Sequence, residues 1–242
     1  MDWHKRYEQQ AGWTRDLRAY LFAKAEAKSA RQILEVGCGT GAILSTVDSS
    51  AALHGADIDL RALAQCRVNA ARAILMRSDG LALPYASASF DIVFCHYFLL
   101  WVGNSLQAVR EMKRVTRPGG HILALAEPDY LSRIDSPDEL KLLGAWQVES
   151  LRRQGADPGF GARLAETFFE AGIKLEEMGI FQPVEKRTNA EEFELEWAVI
   201  ESDLAGMIEE AEIQKMKLCD QAARQRNERI LHVPTHFAWG RV

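Results

Sequence analysis

The first half of the chain alternates between two hydrophobic periods. Residues 14–29 place Leu17, Tyr20, Leu21 and Ala25 at helical spacing behind Thr14, a residue suited to an N-cap. The short apolar run Gln32–Val36 then stops at Gly37, as a buried strand feeding a tight turn. A helix is expected to open near Ala42, followed by a strand over Ala52–Asp57, a helix over Leu60–Ala71 and a strand over Ala73–Arg77. Phe90–Cys95 has the continuous apolar character of a central parallel strand. Ser105–Thr116 reads as a helix with Leu106, Val109 and Val115 on one side, stopped by Arg117-Pro118-Gly119-Gly120 before a fifth strand, His121–Ala126. Strands that alternate with helices in this way build right-handed βαβ units, so the fold class is α/β, with a doubly wound, mostly parallel sheet.

Beyond Glu127 the rhythm changes. Helices are expected at 137–154, 161–171, 190–206 and 208–231, a strand over 173–183, and a last strand at His236–Gly240. No apolar run reaches membrane-spanning length, and residues 1–6 lead into no signal-peptide core. The net charge of −5 gives no support to a general nucleic-acid binder, which needs a concentrated basic face. Cys38, Cys66, Cys95 and Cys219 are scattered without metal-ligand spacing. They read as reduced thiols with no metal, in a protein expected to be cytoplasmic.

The sharpest chemistry lies in Glu35-Val-Gly-Cys-Gly-Thr-Gly41. Glycines at alternate positions let a backbone pass close to a ligand, and ligands of open α/β sheets bind beyond the carboxyl ends of the strands. The helix expected after the turn would bring free N–H groups to the same place. Asp57 closes the second strand, where a carboxylate can accept hydrogen bonds from vicinal ribose hydroxyls; Asp59 is better placed to cap the next helix. Asp79 follows the third strand and could accept from an adenine amine, with Gly80 or Leu81 adding a backbone contact, unless it serves only an Asx turn.

These segments, with SDGLALPYASASFDIVFCHYFLLWV and LQAVREMKRVTRPGGHILALAEPD, resemble the successive motifs of class I S-adenosylmethionine (SAM)-dependent methyltransferases acting on small molecules. The likeness is strong over about residues 31–130, and HFAWGR resembles the family's last strand. It implies a seven-stranded Rossmann-like sheet of order 3-2-1-4-5-7-6 with the last strand antiparallel. It also implies one domain over 1–242: lid helices at 1–30, a SAM-binding core at 31–130, an acceptor cover and later strands at 131–232, and the last strand at 233–242. The implied SAM contacts are Glu35 at the methionine amine, Gly37, Cys38, Gly39 and Gly41 along the turn, Asp57 and Ile58 at the ribose, and Asp79, Gly80 and Leu81 at the adenine. Cys95 and His96 would floor the methyl site, and Tyr7 or Trp13 would face the sulfonium from the lid.

Candidate general bases for a hydroxyl or amine acceptor are His96, Glu127, Asp129 and Tyr130, which follow the fourth and fifth strands. Glu127 and Asp129 could instead bind a polar or cationic acceptor, and Arg152 and Arg153 an anionic one. Residues 146–153 and 193–207 would cover the acceptor, although Phe193, Trp197 and Ile200 stand at spacing that suits a core. The expected product is S-adenosylhomocysteine, the partner a small-molecule acceptor with neither nucleic acid nor membrane, and the assembly a monomer or homodimer. A nicotinamide-dependent oxidoreductase is the main rival, but its GxGxxG spacing is absent because Ala42 stands where its third glycine would be. A non-catalytic SAM-binding protein of the same fold is the second rival.

Overall fold

A computed structural model describes residues 3–181 and 189–242. The chain opens with α1 (Trp3–Trp13) and α2 (Arg15–Lys24), so the single helix expected over 14–29 is a pair broken at Thr14. Thr14 makes no cap hydrogen bond to α2; its hydroxyl is used elsewhere. Strands β1 (Gln32–Val36), β2 (Ala52–Asp57), β3 (Ile74–Arg77) and β4 (Phe90–Cys95) follow, with α3 (Leu60–Asn69) and α4 (Ser105–Val115) as crossovers. The fifth strand, β5 (Thr116–Pro128), is longer than its apolar run because the Arg117–Gly120 segment stays in the ladder.

The helix expected near Ala42 does not form. Only a single 3-10 turn, Leu44–Thr46, fills the connection between β1 and β2. The Ser45 and Thr46 hydroxyls donate back to Ala42 O and Ile43 O, and Val47, Asp48, Ser49 and Ser50 are poor helix formers.

After β5 come β6 (Ile134–Ser136), α5 (Lys141–Arg153), α6 (Leu164–Glu170), β7 (Lys174–Phe181), α7 (Ala190–Leu204), α8 (Glu210–Gln225), β8 (Ile230–His232) and β9 (Thr235–Arg241). The strand expected over 173–183 is described to Phe181; positions 182 and 183 lie outside the described residues. The main sheet has the order β3-β2-β1-β4-β5-β9-β7, and β9 runs antiparallel to both β5 and β7. Counting only the strands of this sheet gives 3-2-1-4-5-7-6, the expected topology. Sequence periodicity missed β6 and β8, which pair as a separate two-stranded ribbon of three residues each.

Both faces of the sheet are covered, as parallel strands require. One face packs Leu34, Val36, Val93 and Ile122 against α4 and α6; the other packs Ile33, Ile92, Phe94 and Leu123 against α2 and α3. A third cluster joins α5, α7 and α8 around Trp197, Phe193, Ile200 and Leu143. Those aromatic residues are therefore the core of the cover and do not line a ligand surface. The cover is tied to the ribbon by a buried network: Arg229 bridges Asp220 and Asp135, Arg133 adds a second guanidinium to Asp135, and Trp197 Nε1 donates to Asp220 at 2.8 Å.

Candidate active site

The carboxyl ends of β1, β2 and β4 converge on the glycine turn. Gly37, Gly39 and Gly41 all have positive φ (74°, 49° and 83°), a region that disfavours any residue with a Cβ. What each faces differs. A Cβ on Gly41 would lie 2.8 Å from Cys66 Sγ, so that glycine lets the turn pack onto α3. A Cβ on Gly37 would collide with the Phe98 ring, and one on Gly80 would reach Phe98 Cζ at 2.6 Å. Phe98 thus lies between the two glycines. Only Gly39 faces outward, beneath the Tyr7 ring of α1, which a Cβ would meet at 3.7 Å. Gly39 is thus the outward glycine of the turn, whereas Gly37, Gly41 and Gly80 serve close contacts with protein side chains.

Asp57 is bound into this turn. Its Oδ2 accepts from Gly39 N at 2.7 Å and its Oδ1 from Asp59 N at 2.9 Å, and Asp59 caps α3 through Arg61 N. The carboxylate remains half-buried, with further lone pairs available on both oxygens. Asp79 forms the Asx turn, accepting from Leu81 N at 2.9 Å. That bond removes Leu81 N as a ligand contact but leaves Asp79 exposed with its second oxygen uncommitted. Ile58 is exposed beside Asp57.

Glu35 is buried under the turn. Its Oε2 has no hydrogen-bond partner among the described residues. Burial, the neighbouring Cys66 thiol and Asp57 push its pKa well above the usual carboxylate range, against the pull of Arg18. Cys38 does not reach toward a ligand. Its Sγ lies under Gly55 and beside Cys66, its N–H donates to Ala56 O, and the contact with Cys66 together with burial raises its pKa. Cys95 is likewise buried beneath the floor, with Sγ 3.9 Å from Glu127 Oε1.

Of the four candidate bases, Glu127, Asp129 and His96 are each engaged by protein groups. Glu127 is fully buried, and its Oε1 accepts from Phe98 N and Leu99 N at 3.1 Å each, its Oε2 from Leu100 N at 3.2 Å. It anchors the turn after β4, and burial pushes its pKa up to about 7 against those donors. Asp129 caps the following 3-10 turn through Leu131 N and Ser132 N. Burial raises the Tyr130 pKa, keeping the phenol neutral.

His96 is held by α2. Arg18 donates to Thr14 Oγ1 at 2.7 Å, and Thr14 Oγ1 lies 2.9 Å from His96 Nε2 but 3.4 Å from Ala11 O. A guanidinium only donates, so Thr14 Oγ1 accepts from Arg18 while it pairs with His96 Nε2. Burial and the Arg18 charge lower the His96 pKa to about 3. Its ring is neutral, and Nε2 is engaged by Thr14.

The lid residues divide. Tyr7 sits over Gly39 beside Asp57 and Asp59, where burial first and then those charges raise its pKa. Trp13 instead stacks under Arg6, whose guanidinium carbon is 4.9 Å from the ring centroid. Arg153 pairs with Glu149 on the surface of α5, and Arg152 is exposed. Sequence reasoning missed Arg6, Thr14, Arg18, Tyr97 and Phe98. Arg6 and Trp13 are seven residues apart on α1, on one helix face, and that spacing was the available signal. Tyr97 has φ 51°, a left-handed conformation rare for a bulky side chain, which no sequence pattern marks.

Residues 34–124 match the family described as methyltransferase domain. The chain is 32% identical over 118 residues to the malonyl-[acyl-carrier protein] O-methyltransferase of Erwinia pyrifoliae, covering 48% of this chain and 45% of that protein. It is 34% identical over 124 residues to the demethylmenaquinone methyltransferase of Deinococcus radiodurans, covering 48% and 52%. The chain spans about half the length of the curated relatives it matches. A solved phosphoethanolamine N-methyltransferase from Haemonchus contortus, in complex with S-adenosylhomocysteine, superposes with TM-score 0.60 at 18% identity, over 94% of this chain and 52% of that one. The [4+2]-cyclase SpnF superposes with TM-score 0.59 at 17% identity, over 94% and 80%. The fold is thus a Rossmann-like sheet shared with solved methyltransferases, and residues 34–124 match a methyltransferase domain.

Proposed function

We propose that the protein transfers the methyl group of SAM to a small-molecule acceptor. The observation that carries this reading is the arrangement at the β1–β2 edge: Gly39 open under Tyr7, the Asp57 carboxylate beside it, and a buried Glu35 oxygen lacking a partner. A buried carboxylate oxygen without a donor is costly, and an ammonium group satisfies it. The donor set therefore suits SAM. Glu35 would hold the methionine amine, Asp57 the ribose and Asp79 the adenine, with Ile58 beside the sugar and Tyr7 over the turn. Gly37, Gly41, Gly80, Cys38 and Cys95 would shape the crevice from beneath. SAM supplies an electrophilic methyl, and the protein's part is to orient the acceptor and exclude water.

The missing helix after the turn bears on the nicotinamide rival. Pyrophosphate binding in that class relies on a helix N-terminus, and here one 3-10 turn stands in its place. A SAM sulfonium needs no such cradle. Among the described residues no helix is long and apolar enough to cross a membrane, and the free thiols suit a reducing cytoplasm. We place the acceptor under α1 and α5, with residues 1–30 as lid and 31–130 as the cofactor-binding core.

The test is calorimetric titration of SAM, S-adenosylhomocysteine and NADH into the purified protein, followed by incubation with methyl-labelled SAM and a metabolite extract. Binding of the adenosyl ligands alone, with label passing to a small molecule, is the expected result. Binding of NADH overturns it, and tight SAM binding without transfer favours a non-catalytic binder.

A further inference from the structure

Arg6 makes no ion pair among the described residues, although its charge reaches the Asp203 carboxyl and lowers its pKa against burial. Arg6 projects from α1, half-buried, with its guanidinium over the Trp13 ring and one terminal nitrogen donating to Gln9 Oε1 at 2.6 Å. Gln9 is itself fixed by a bond to Glu192 O of α7. No carboxylate lies within ion-pair range of Arg6 among the described residues, and its Nε is buried with no hydrogen-bond partner. A guanidinium held this way, with one edge unsatisfied, has the form of a carboxylate clamp, because the planar fork matches two carboxylate oxygens.

The surroundings agree. Arg6 lies close enough to Tyr97 and Tyr130 for its charge to oppose the rise in both phenol pKa values. Both tyrosines stay neutral, the state in which a hydroxyl donates. The left-handed backbone of Tyr97 is strained, and such strain persists where the surrounding structure demands a particular placement. His96 adds a neutral ring. The guanidinium and the phenols donate, while the Glu127 oxygens and Asp129 Oδ1 already accept from backbone N–H groups. An acceptor whose oxygen is already anionic needs no base.

We propose that the acceptor is a carboxylate, clamped by Arg6 and converted to its methyl ester. This rests on the methyl-transfer reading above and names its substrate class. A carboxylate oxygen forms the new C–O bond to the methyl carbon as the C–S bond of the sulfonium breaks, and that electron pair stays on sulfur. Anion and cation become a neutral ester and a neutral thioether, with no proton moved.

The test separates esters by their chemistry. After incubation with methyl-labelled SAM and extract, mild alkali releases the label of a methyl ester as volatile methanol, while ethers, methylamines and C-methyl products keep it. Alkali-labile label is expected. In parallel, a malonyl thioester is titrated into the S-adenosylhomocysteine complex of wild type, Arg6→Met and Arg6→Lys. Arg6→Met should weaken its binding at least tenfold and raise KM more than it lowers kcat. Arg6→Lys should restore part of the loss, since it keeps the charge but not the fork. S-adenosylhomocysteine affinity should stay within twofold in both variants. A protein that binds S-adenosylhomocysteine but labels only alkali-stable products overturns this inference and leaves methyl transfer standing, as does unchanged carboxylate binding in Arg6→Met. A protein that binds no adenosyl ligand, or transfers no label, overturns the parent reading and this inference with it.

Discussion

Replacing Glu127 tests how the turn after β4 is held. The side chain is fully buried and receives Phe98 N and Leu99 N on Oε1 and Leu100 N on Oε2. Glu127→Ala orphans three buried donors at once, each worth about 1–3 kcal/mol, so the expected loss at pH 6 is about 3–5 kcal/mol after partial relaxation. For a chain of this size that is a fall in Tm of about 8–15 °C. Glu127→Gln keeps one acceptor oxygen for two of the donors and sets an amide N–H against Leu100 N, for a loss of about 1–2 kcal/mol. The pH dependence follows from the raised carboxyl pKa of about 7. The folded state holds the proton more tightly than the unfolded state, so this contribution is complete below about pH 4.5 and fades as pH rises through 7. Wild type should therefore lose up to about 3 kcal/mol between pH 4.5 and 8 that Glu127→Gln retains, and the two stability curves should converge. Urea melts at half-unit pH steps, with hydrogen exchange at residues 98–100, measure both. An alanine variant within 3 °C of wild type at pH 6, or a Gln–Glu difference that is flat with pH, refutes the account.

Asp57→Ala should weaken S-adenosylhomocysteine binding more than tenfold by calorimetry, and lower Tm by a few degrees because Gly39 N and Asp59 N lose their acceptor. Gly37→Ala forces a Cβ into the Phe98 ring at positive φ and should cost about 2–4 kcal/mol in a urea melt. Adding Phe98→Ala should recover the steric part of that cost and leave the backbone part, and a double variant no better than the single would refute the packing account. Imidazole nitrogen NMR should find His96 neutral, with no titration between pH 5 and 8. Because the folded His96 pKa lies below its unfolded value, wild type should lose stability as pH falls below about 6.5 toward 3, by about 3 kcal/mol at pH 4.5, a limb that His96→Asn flattens.

The parallel half of the sheet was legible because buried strands are short apolar runs and glycine marks their ends. The ends of β1, β2 and β4 agree with that reading to the residue. The helix expected to open near Ala42 is unmade by Ser45, Thr46 and Val47. The ribbon β6–β8 was invisible because three-residue strands carry no period. At the site, residue types located the carboxylates but not their partners. Asp57, Asp79, Glu127 and Asp129 each satisfy nearby backbone N–H groups, and such bonds depend on where the chain turns. Arg6 escaped notice for the converse reason, since what distinguishes it is the lack of a partner that only three dimensions reveal.

The helix α1 faces two ways at once. One turn sets an aromatic ring over Gly39, and the adjoining residue extends a guanidinium toward Tyr97 and Tyr130. Any ligand that steadies this helix prepays part of the ordering that the other would require. The two substrates should consequently bind with positive cooperativity, each raising the affinity of the other by the same factor.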